Sequence, residues 1–472
     1  MSKILTVFGA TGKQGGSVIR TILQDAKLSQ EFRIRGITRD TTKPAAQALS
    51  KQGVELRNAD MNSKESLVQA LQGSHSVFLV TTPAWGVAGS DAELVHGKNA
   101  TDAAKATGVQ HLIFSSLLNV TETSGGRLKH VPHFDQKAQV EQYIQSTGVP
   151  ATFVLPGYFM SNYPEVGMLR KGEDGVYNLA YPVGQNAKFP LVDIEADMGK
   201  YVAAALKNPS ESLGAQILAA EDYYTPTRIL QEFEEVTGQK ARFVQVDPDT
   251  FKSFMPGPIG EEMLQNHLFI ENPGYFNGRD LKESNDWLEK AGYQPTSWRE
   301  FLERNKAAFL QYCSPRGIGY SLCCAFKAKG LRVFATARRL EDLAGLKAKG
   351  IETLALTVDD AQSVLRCYAE IERRVGSRGL DYLVNNAGRN YTVPAMEVDL
   401  QGARQILETN FFAVILMCQT FLPLLLRAKG TIVQIGSVSG VMPYVFGSVY
   451  NASKAALHSL SDAMRIELAP FG

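Results

Sequence analysis

The chain has 472 residues, a formal net charge of +1, 44% apolar residues and 21% charged residues. That length predicts roughly two to four domains, and the composition excludes a disordered, collagen-like or membrane-dominated chain. A charge this close to zero argues against direct nucleic-acid binding, which calls for a clearly basic surface.

The first residues, Met1-Ser-Lys-Ile-Leu-Thr-Val-Phe-Gly9, form a short apolar run into a glycine turn. They lack the long apolar core and cleavage site of a secretory signal, so a cytoplasmic location is expected, with the nucleus as an alternative. Ile4–Phe8 reads as a buried strand. It enters Gly9-Ala-Thr11-Gly12-Lys-Gln14-Gly15-Gly16, and a helical pattern runs from Ser17 to about Asp25. Strand, glycine turn and helix start are the pyrophosphate-binding opening of a Rossmann unit: the glycines let backbone approach the phosphates, and the helix N–H groups and dipole hold their charge. Arg33–Thr38 is the second strand, with Arg39 directly after it. An acidic residue there suits the NAD ribose; an Arg suits the 2′-phosphate of NADP. Asp40 follows, and a solvated loop charge is the plainer reading of Arg39.

Further strands are predicted at Val54–Arg57, Ser76–Val80, His111–Ser115 and Ala151–Leu155, separated by helical patterns near 63–72, 90–107 and 134–147. The alternation gives an α/β, doubly wound parallel sheet. Ligands bind such sheets outside the carboxyl ends of the strands. Asp60 is therefore placed for the adenine amino group, and Thr81, Thr82 and Pro83 for the nicotinamide ribose.

Four stretches carry a resemblance: Gly9–Gly16, His111-Leu-Ile-Phe-Ser-Ser116, Val131-Pro-His-Phe-Asp-Gln-Lys137 and Leu155-Pro-Gly-Tyr-Phe-Met-Ser-Asn162. Together they resemble the NmrA-like family of atypical short-chain dehydrogenase relatives over about residues 1–307, including the closing Trp298-Arg-Glu-Phe-Leu302. The resemblance implies a dinucleotide-binding part over 1–155 and a smaller α+β lobe over 156–307. It implies NADP(H), with NAD(H) as the alternative, and redox-sensing regulators that bind protein partners, or true reductases. The wider superfamily exchanges a proton through a Tyr whose pKa is lowered by a Lys four residues later; here that pair is His133 and Lys137. Lys137 suits the nicotinamide ribose. His133 suits an acid or base near neutral pH, or else simply packs at a helix start. Ser115 and Ser116 lie near the expected substrate, and Tyr158, Phe159, Met160 and Asn162 line the cleft or belong to the core.

From 313 the sequence restarts. Cys313-Ser-Pro-Arg-Gly317-Ile-Gly319 precedes a helix. Leu331–Thr336 reads as a strand, followed by Ala337-Arg338-Arg339. Leu380–Val384 leads into Asn385-Asn386-Ala-Gly388, and Thr431–Ile435 leads to Ser437. Tyr450 and Lys454 are one helical turn apart and share a face. With Asn410 and Ser437 they resemble the tetrad of the Tyr-type short-chain dehydrogenases, in particular fungal NADPH-dependent 1-acyldihydroxyacetone-phosphate reductases. That resemblance implies Tyr450 as proton donor, Ser437 orienting the carbonyl, Lys454 on the ribose and Asn410 supporting a water relay. Gly317, Gly319, Arg338, Asn386 and Gly388 would contact the cofactor.

The departures are specific. Gln311-Tyr312 stands where Thr-Gly is expected, and Lys306–Gln311 reads as a continued helix where the first, central strand should be. Losing that strand is expected to split the sheet. Thr357 replaces the adenine-side Asp, with Asp359 nearby. The sequence ends after the Tyr450 helix, so the remaining strands and substrate loop are not in it, and residues 313–472 are expected not to be a competent reductase alone. Phe411–Leu425 is the most apolar stretch, expected to be a buried or interface helix too short to span a membrane.

Composition marks the same seam. All five cysteines lie at or after 313, and Trp85, Trp287 and Trp298 all lie before it. Lys and Arg number 31 against 35 Asp and Glu before 313, and 18 against 13 from there on. The scattered, odd thiols fit a reducing compartment, and no zinc spacing or other metal site is seen. A junction of two reading frames near 307–313 is expected. Three functional readings follow: an NADP(H)-binding redox regulator, an oxidoreductase on a carbonyl or quinone, and a partner-binding module with a vestigial nucleotide site. Substrate, partner and oligomeric state are not readable.

Overall fold

The structure, a computed structural model, describes residues 2–471 apart from 86, 88, 173, 256, 313–316 and 445, and leaves out the side chains of 310–312. It divides into residues 1–313 and 314–472.

In the first unit the strands are β1 (Lys3–Val7), β2 (Phe32–Thr38), β3 (Glu55–Asn58), β4 (Ser76–Leu79), β5 (His111–Ser115), β6 (Ala151–Pro156), β7 (Tyr158–Phe159), β8 (Leu169–Lys171), β9 (Tyr177–Tyr181), β10 (Phe189–Val192), β11 (Gln216–Ala219), β12 (Asp222–Tyr224) and β13 (Ala241–Gln245). Seven of them make a sheet in the order β11-β6-β5-β4-β1-β2-β3. Every pairing in it is parallel, with Leu5 of β1 opposite Ile34 of β2 and Ser76 of β4. β4, β5 and β6 are near-continuous apolar, buried runs because helices cover both faces, whereas β2 carries Arg33 and Arg35 and the edge strand β3 is largely polar. The Rossmann order expected from the sequence is thus present, extended by β11. One cover helix, Ile194–Lys207, lies close on the helix Lys13–Gln24. The Gly199 amide donates to Ser17 Oγ at 3.0 Å, and a Cβ at 199 would stand 2.3 Å from the Ser17 carbonyl, so glycine is required there.

The lobe carries two small sheets, β12-β10-β7 and β13-β9-β8. Its closing helix, Trp298–Tyr312, includes Lys306–Gln311, so this segment is helix and not strand. Trp298 is fully buried, with its Nε1–H donated to the Ile229 carbonyl at 3.1 Å.

In the second unit β14 (Phe334–Ala337) pairs with β15 (Glu352–Ala355), and β16 (Tyr382–Asn385) pairs with β17 (Thr431–Gln434). These are two separate parallel pairs. In a 3-2-1-4-5 sheet the missing first strand would sit between β14 and β16.

Most strand and helix ends shift by one or two residues from expectation, and three boundaries differ by more. The first helix begins at Lys13 and not Ser17: Gly12 is still extended, at φ −91° and ψ 176°, and the helix starts directly after it. β14 begins at Phe334 and not Leu331, since β15 runs alongside only from the Phe334–Glu352 pair onward. The apolar stretch around 411–425 belongs to a continuous helix, Leu400–Ala428, of 29 residues. By length and composition it is long and apolar enough to cross a membrane, with a mean hydropathy of 1.9 and 39% of its most apolar window buried. Pro423 is accommodated inside that helix, and most of the added length, residues 400–410, precedes the apolar stretch.

Candidate functional site

The glycine turn of the first unit is built to bring backbone close. Gly9 takes φ +61°, a left-handed conformation that favours glycine. Its carbonyl accepts the Gly12 N–H at 2.8 Å. At Gly15 a Cβ would lie 2.3 Å from the Gly9 oxygen and 2.6 Å from the Phe8 oxygen, contacts that no side chain survives. The helix that follows has no side-chain cap and no acidic residue in its first turn, so its opening N–H groups remain available to an anion. Thr11 is exposed beside them, and Gln14 Oε1 is buried without a partner.

Around the carboxyl ends of the strands the side chains separate into free and engaged. Arg39 is exposed, and its side chain makes no hydrogen bond or ion pair among the described residues. Asp40 instead accepts from the Thr42 amide at 2.9 Å and hydroxyl at 2.6 Å, bonds that hold its carboxyl below the usual range. Asp60 is exposed, and its Oδ1 accepts from Asn62 N and Nδ2 at 2.9 and 3.0 Å, which lowers its pKa. Thr82 is exposed; Thr81 is buried. Ser115 and Ser116 are fully buried, and Ser115 Oγ has no hydrogen-bond partner. Tyr158 and Met160 are core residues, not cleft lining.

Lys137 and His133 lie one turn apart on the helix Pro132–Thr147, both already engaged. The Lys137 ammonium donates to Glu93 Oε1 at 2.5 Å, Thr81 Oγ1 at 3.0 Å and the Thr81 carbonyl at 3.1 Å. The Thr81 hydroxyl donates to the same Glu93 oxygen at 2.7 Å. His133 Nδ1 is paired with Glu262, and Asn266 Nδ2 donates to Nε2 at 3.2 Å. The Trp85 ring lies 4.8 Å from the imidazole. With both nitrogens held by the lobe helix Pro258–Phe269, His133 serves as a tie between helices and has no nitrogen left for a substrate proton.

Sequence reading missed Glu93, Glu262 and Asn266. Glu93 carried a signal, an acidic residue in the first turn of a predicted helix, but nothing in the pattern aimed it at Lys137. Glu262 and Asn266 come from a helix that no motif pointed to.

In the second unit Asn410 is buried. Its Oδ1 accepts from Arg389 N at 2.7 Å, and its Nδ2 donates to Ser453 Oγ at 3.0 Å. Lys454 Nζ donates to the Ile435 carbonyl at 2.8 Å and lies 5.9 Å from the Tyr450 ring; burial lowers its pKa. A Cβ on Gly388 would sit 3.4 Å from Asn410 Oδ1 and 3.7 Å from Lys454 Nζ, so these three converge. Ser437 Oγ accepts from the Ser439 hydroxyl at 2.7 Å. The Ser437 amide meets His458 Nε2 at 3.4 Å, a contact that no motif pointed to.

The glycine turn is where the two units part. A Cβ on Gly317 meets nothing within 4 Å, and one on Gly319 meets only the Asn386 side chain, at 2.6 Å. Among the described residues nothing there demands glycine as Gly15 does. Arg338 is exposed, and Arg339 pairs with Asp342 at 2.9 Å. Asp359 accepts from the Thr409 hydroxyl at 3.3 Å. Cys313 and the residues to Arg316 lie outside the described residues.

Comparison with known proteins follows the same division. The NmrA-like family matches residues 1–302, and the short chain dehydrogenase family matches residues 313–472. An NmrA-like family domain-containing oxidoreductase of Malbranchea aurantiaca is 34% identical over 290 residues, 58% of this chain and 84% of that protein. The NADPH-dependent 1-acyldihydroxyacetone phosphate reductase of Schizosaccharomyces pombe is 42% identical over 171 residues, 36% of this chain; the chain spans only 57% of that reductase. The crystal structure of NmrA, a negative transcriptional regulator, in complex with NADP shares the fold at a TM-score of 0.54 and 23% identity, over 66% of this chain and 99% of that one.

Proposed function

The chain belongs to the NmrA-like family, and from that premise we propose that its first unit binds NADP(H) and acts as a redox-responsive regulator. The observation that carries the reading is the glycine turn: Gly15 packs so tightly on the Gly9 carbonyl that only a bare backbone fits, beneath helix N–H groups with no capping side chain. Arg39 sets the preference. It is an exposed cation at the end of β2 with no ion pair among the described residues, while the neighbouring Asp40 is spent on its own loop. Asp60 keeps one carboxylate oxygen for the adenine side, and Thr82 faces outward near the ribose side. Bound NADPH would supply a hydride. The chain's own groups favour holding the dinucleotide over turning it over, because His133 and Lys137 are both satisfied within the protein.

Titration of the full chain with NADPH and NADH tests this. NADPH is expected to bind at least about tenfold more tightly, with Arg39→Gln removing most of the difference. Equal affinities in the wild type would sink the Arg39 argument, and no binding of either would sink the reading.

A second reading, an NADPH-dependent oxidoreductase acting on a carbonyl or quinone, draws on the convergence of Asn410, Gly388 and Lys454 near Tyr450. It requires NADPH oxidation that Tyr450→Phe abolishes; activity that survives the change would exclude the second unit as its source.

A further inference from the structure

Lys13 is the residue of the glycine turn that neither the motif nor the reading above uses. It opens the first turn of the helix Lys13–Gln24, beside the N–H groups proposed to take the pyrophosphate. Its ammonium is turned toward the lobe. It lies 2.5 Å from Glu165 Oε2, 3.5 Å from Glu195 Oε1 and 3.0 Å from Ser161 Oγ. Glu165 and Ser161 belong to the lobe segment that follows β7, and Glu195 to the first turn of the helix Ile194–Lys207. One cation thus holds two carboxylates at a helix start otherwise prepared for an anion, with the Arg20 guanidinium, which donates to the Glu195 carbonyl at 2.7 Å, beside them.

These partners are exposed: side-chain accessibility is 36% for Lys13, 50% for Glu165 and 51% for Glu195. Ion pairs so open to water are weak enough to exchange partners. A pyrophosphate brought to the turn offers the ammonium a stronger, doubly negative partner, and it repels both carboxylates.

We propose that Lys13, Glu165 and Glu195 form a dinucleotide-sensitive latch, in which cofactor phosphate and lobe carboxylates compete for one ammonium. Without dinucleotide, Lys13 ties the segment 161–165 to the nucleotide-binding part. With dinucleotide, Lys13 joins the phosphates and the segment is released. The segment lies directly after Tyr158–Met160, so cofactor occupancy is transmitted to the lobe. This rests on the dinucleotide reading and gives it a means of signalling.

The test is calorimetric titration of the full chain with NADPH, for the wild type, E165Q/E195Q, K13Q and the triple variant. Removing the carboxylates is expected to tighten binding about fivefold and K13Q to weaken it by a similar factor, the scale of one exposed ion pair. K13Q should cost more in the E165Q/E195Q background than in the wild type, because only there is the ammonium uncontested. Hydrogen exchange at 161–166 should quicken when NADPH is added to the wild type, and should already be fast in E165Q/E195Q. If the wild type binds NADPH but E165Q/E195Q binds it equally, the latch is wrong while the dinucleotide site stands. If the wild type binds neither NADPH nor NADH, the dinucleotide reading itself falls, and the latch with it.

Discussion

His267 sits among Tyr158, Tyr181, Phe189 and Phe251, with ring centroids 4.8–6.1 Å away. Its Nδ1–H donates to the Met263 carbonyl at 2.8 Å, and its Nε2 is buried with no partner. His111 is buried at the start of β5. The Thr152 hydroxyl donates to the Ser212 carbonyl at 2.7 Å, so His111 Nε2 must be the donor to Thr152 at 2.8 Å. Burial disfavours both imidazolium forms and pushes each pKa down to about 4. An unfolded imidazole titrates near 6.5. Above that pH both states are neutral and the native fold keeps its full stability. As pH falls below it, the unfolded chain gains protons that the native chain refuses, so stability drops until about pH 4, where the native imidazoles also charge. Each histidine contributes about 2–4 kcal/mol to the drop. Glu141, Asp193 and Glu221, whose pKa values burial raises, act in the opposite direction at the acid end. The decline should therefore be steepest between about pH 6.5 and 5. Urea unfolding of the first unit's transition at pH 7.5, 6 and 5 is expected to show falling midpoints, with a shallower slope in His267→Gln. Equal midpoints in the wild type would contradict the assignment.

The elements show what a pattern of residues can specify. β1, β4, β5 and β6 were legible because a strand buried on both faces leaves an apolar run with nowhere else to go, and because the glycines at 9, 12 and 15 anchor the topology. The free edges of β14 and β16 were legible too, from a helix-forming Lys306–Gln311 where a strand was needed. The candidate site was legible only where it is local. Gly9, Gly15 and Arg39 are fixed by neighbours in sequence. The partners of Lys137 and His133 come from 44 and 129 residues away, and no spacing encodes such a distance. Lys13 was passed over because its partners, Glu165 and Glu195, come from elements unrelated to the motif. The split sheet has its own consequence. Among the described residues each strand of the second unit is hydrogen-bonded on one side only, whereas β1 is flanked by β2 and β4. Amides of β14 and β16 should therefore exchange with solvent at least about a hundredfold faster than those of β1 and β4. Comparable protection in the two sets would mean that something pairs with those edges in solution.

At the scale of the whole chain, each unit has hydrophobic cores of its own. The first unit has 313 residues, a seven-stranded sheet and large buried side chains on both of its faces. The second has 159 residues, two strand pairs, and a core gathered around Val364, Phe421 and Leu424. The fraction of surface buried on folding rises with size, and among the described residues of the second unit no strand joins its two pairs. The two units should therefore unfold in separate calorimetric transitions, the second unit first. A ligand stabilises only the state that binds it, by about 2.7 kcal/mol at a hundred times its Kd, which is worth a few degrees for a unit of this size. Saturating NADPH is expected to raise the upper transition and leave the lower one in place. A shift confined to the lower transition would move dinucleotide binding to the Tyr450 unit, and one shared transition would show that the units stabilise each other.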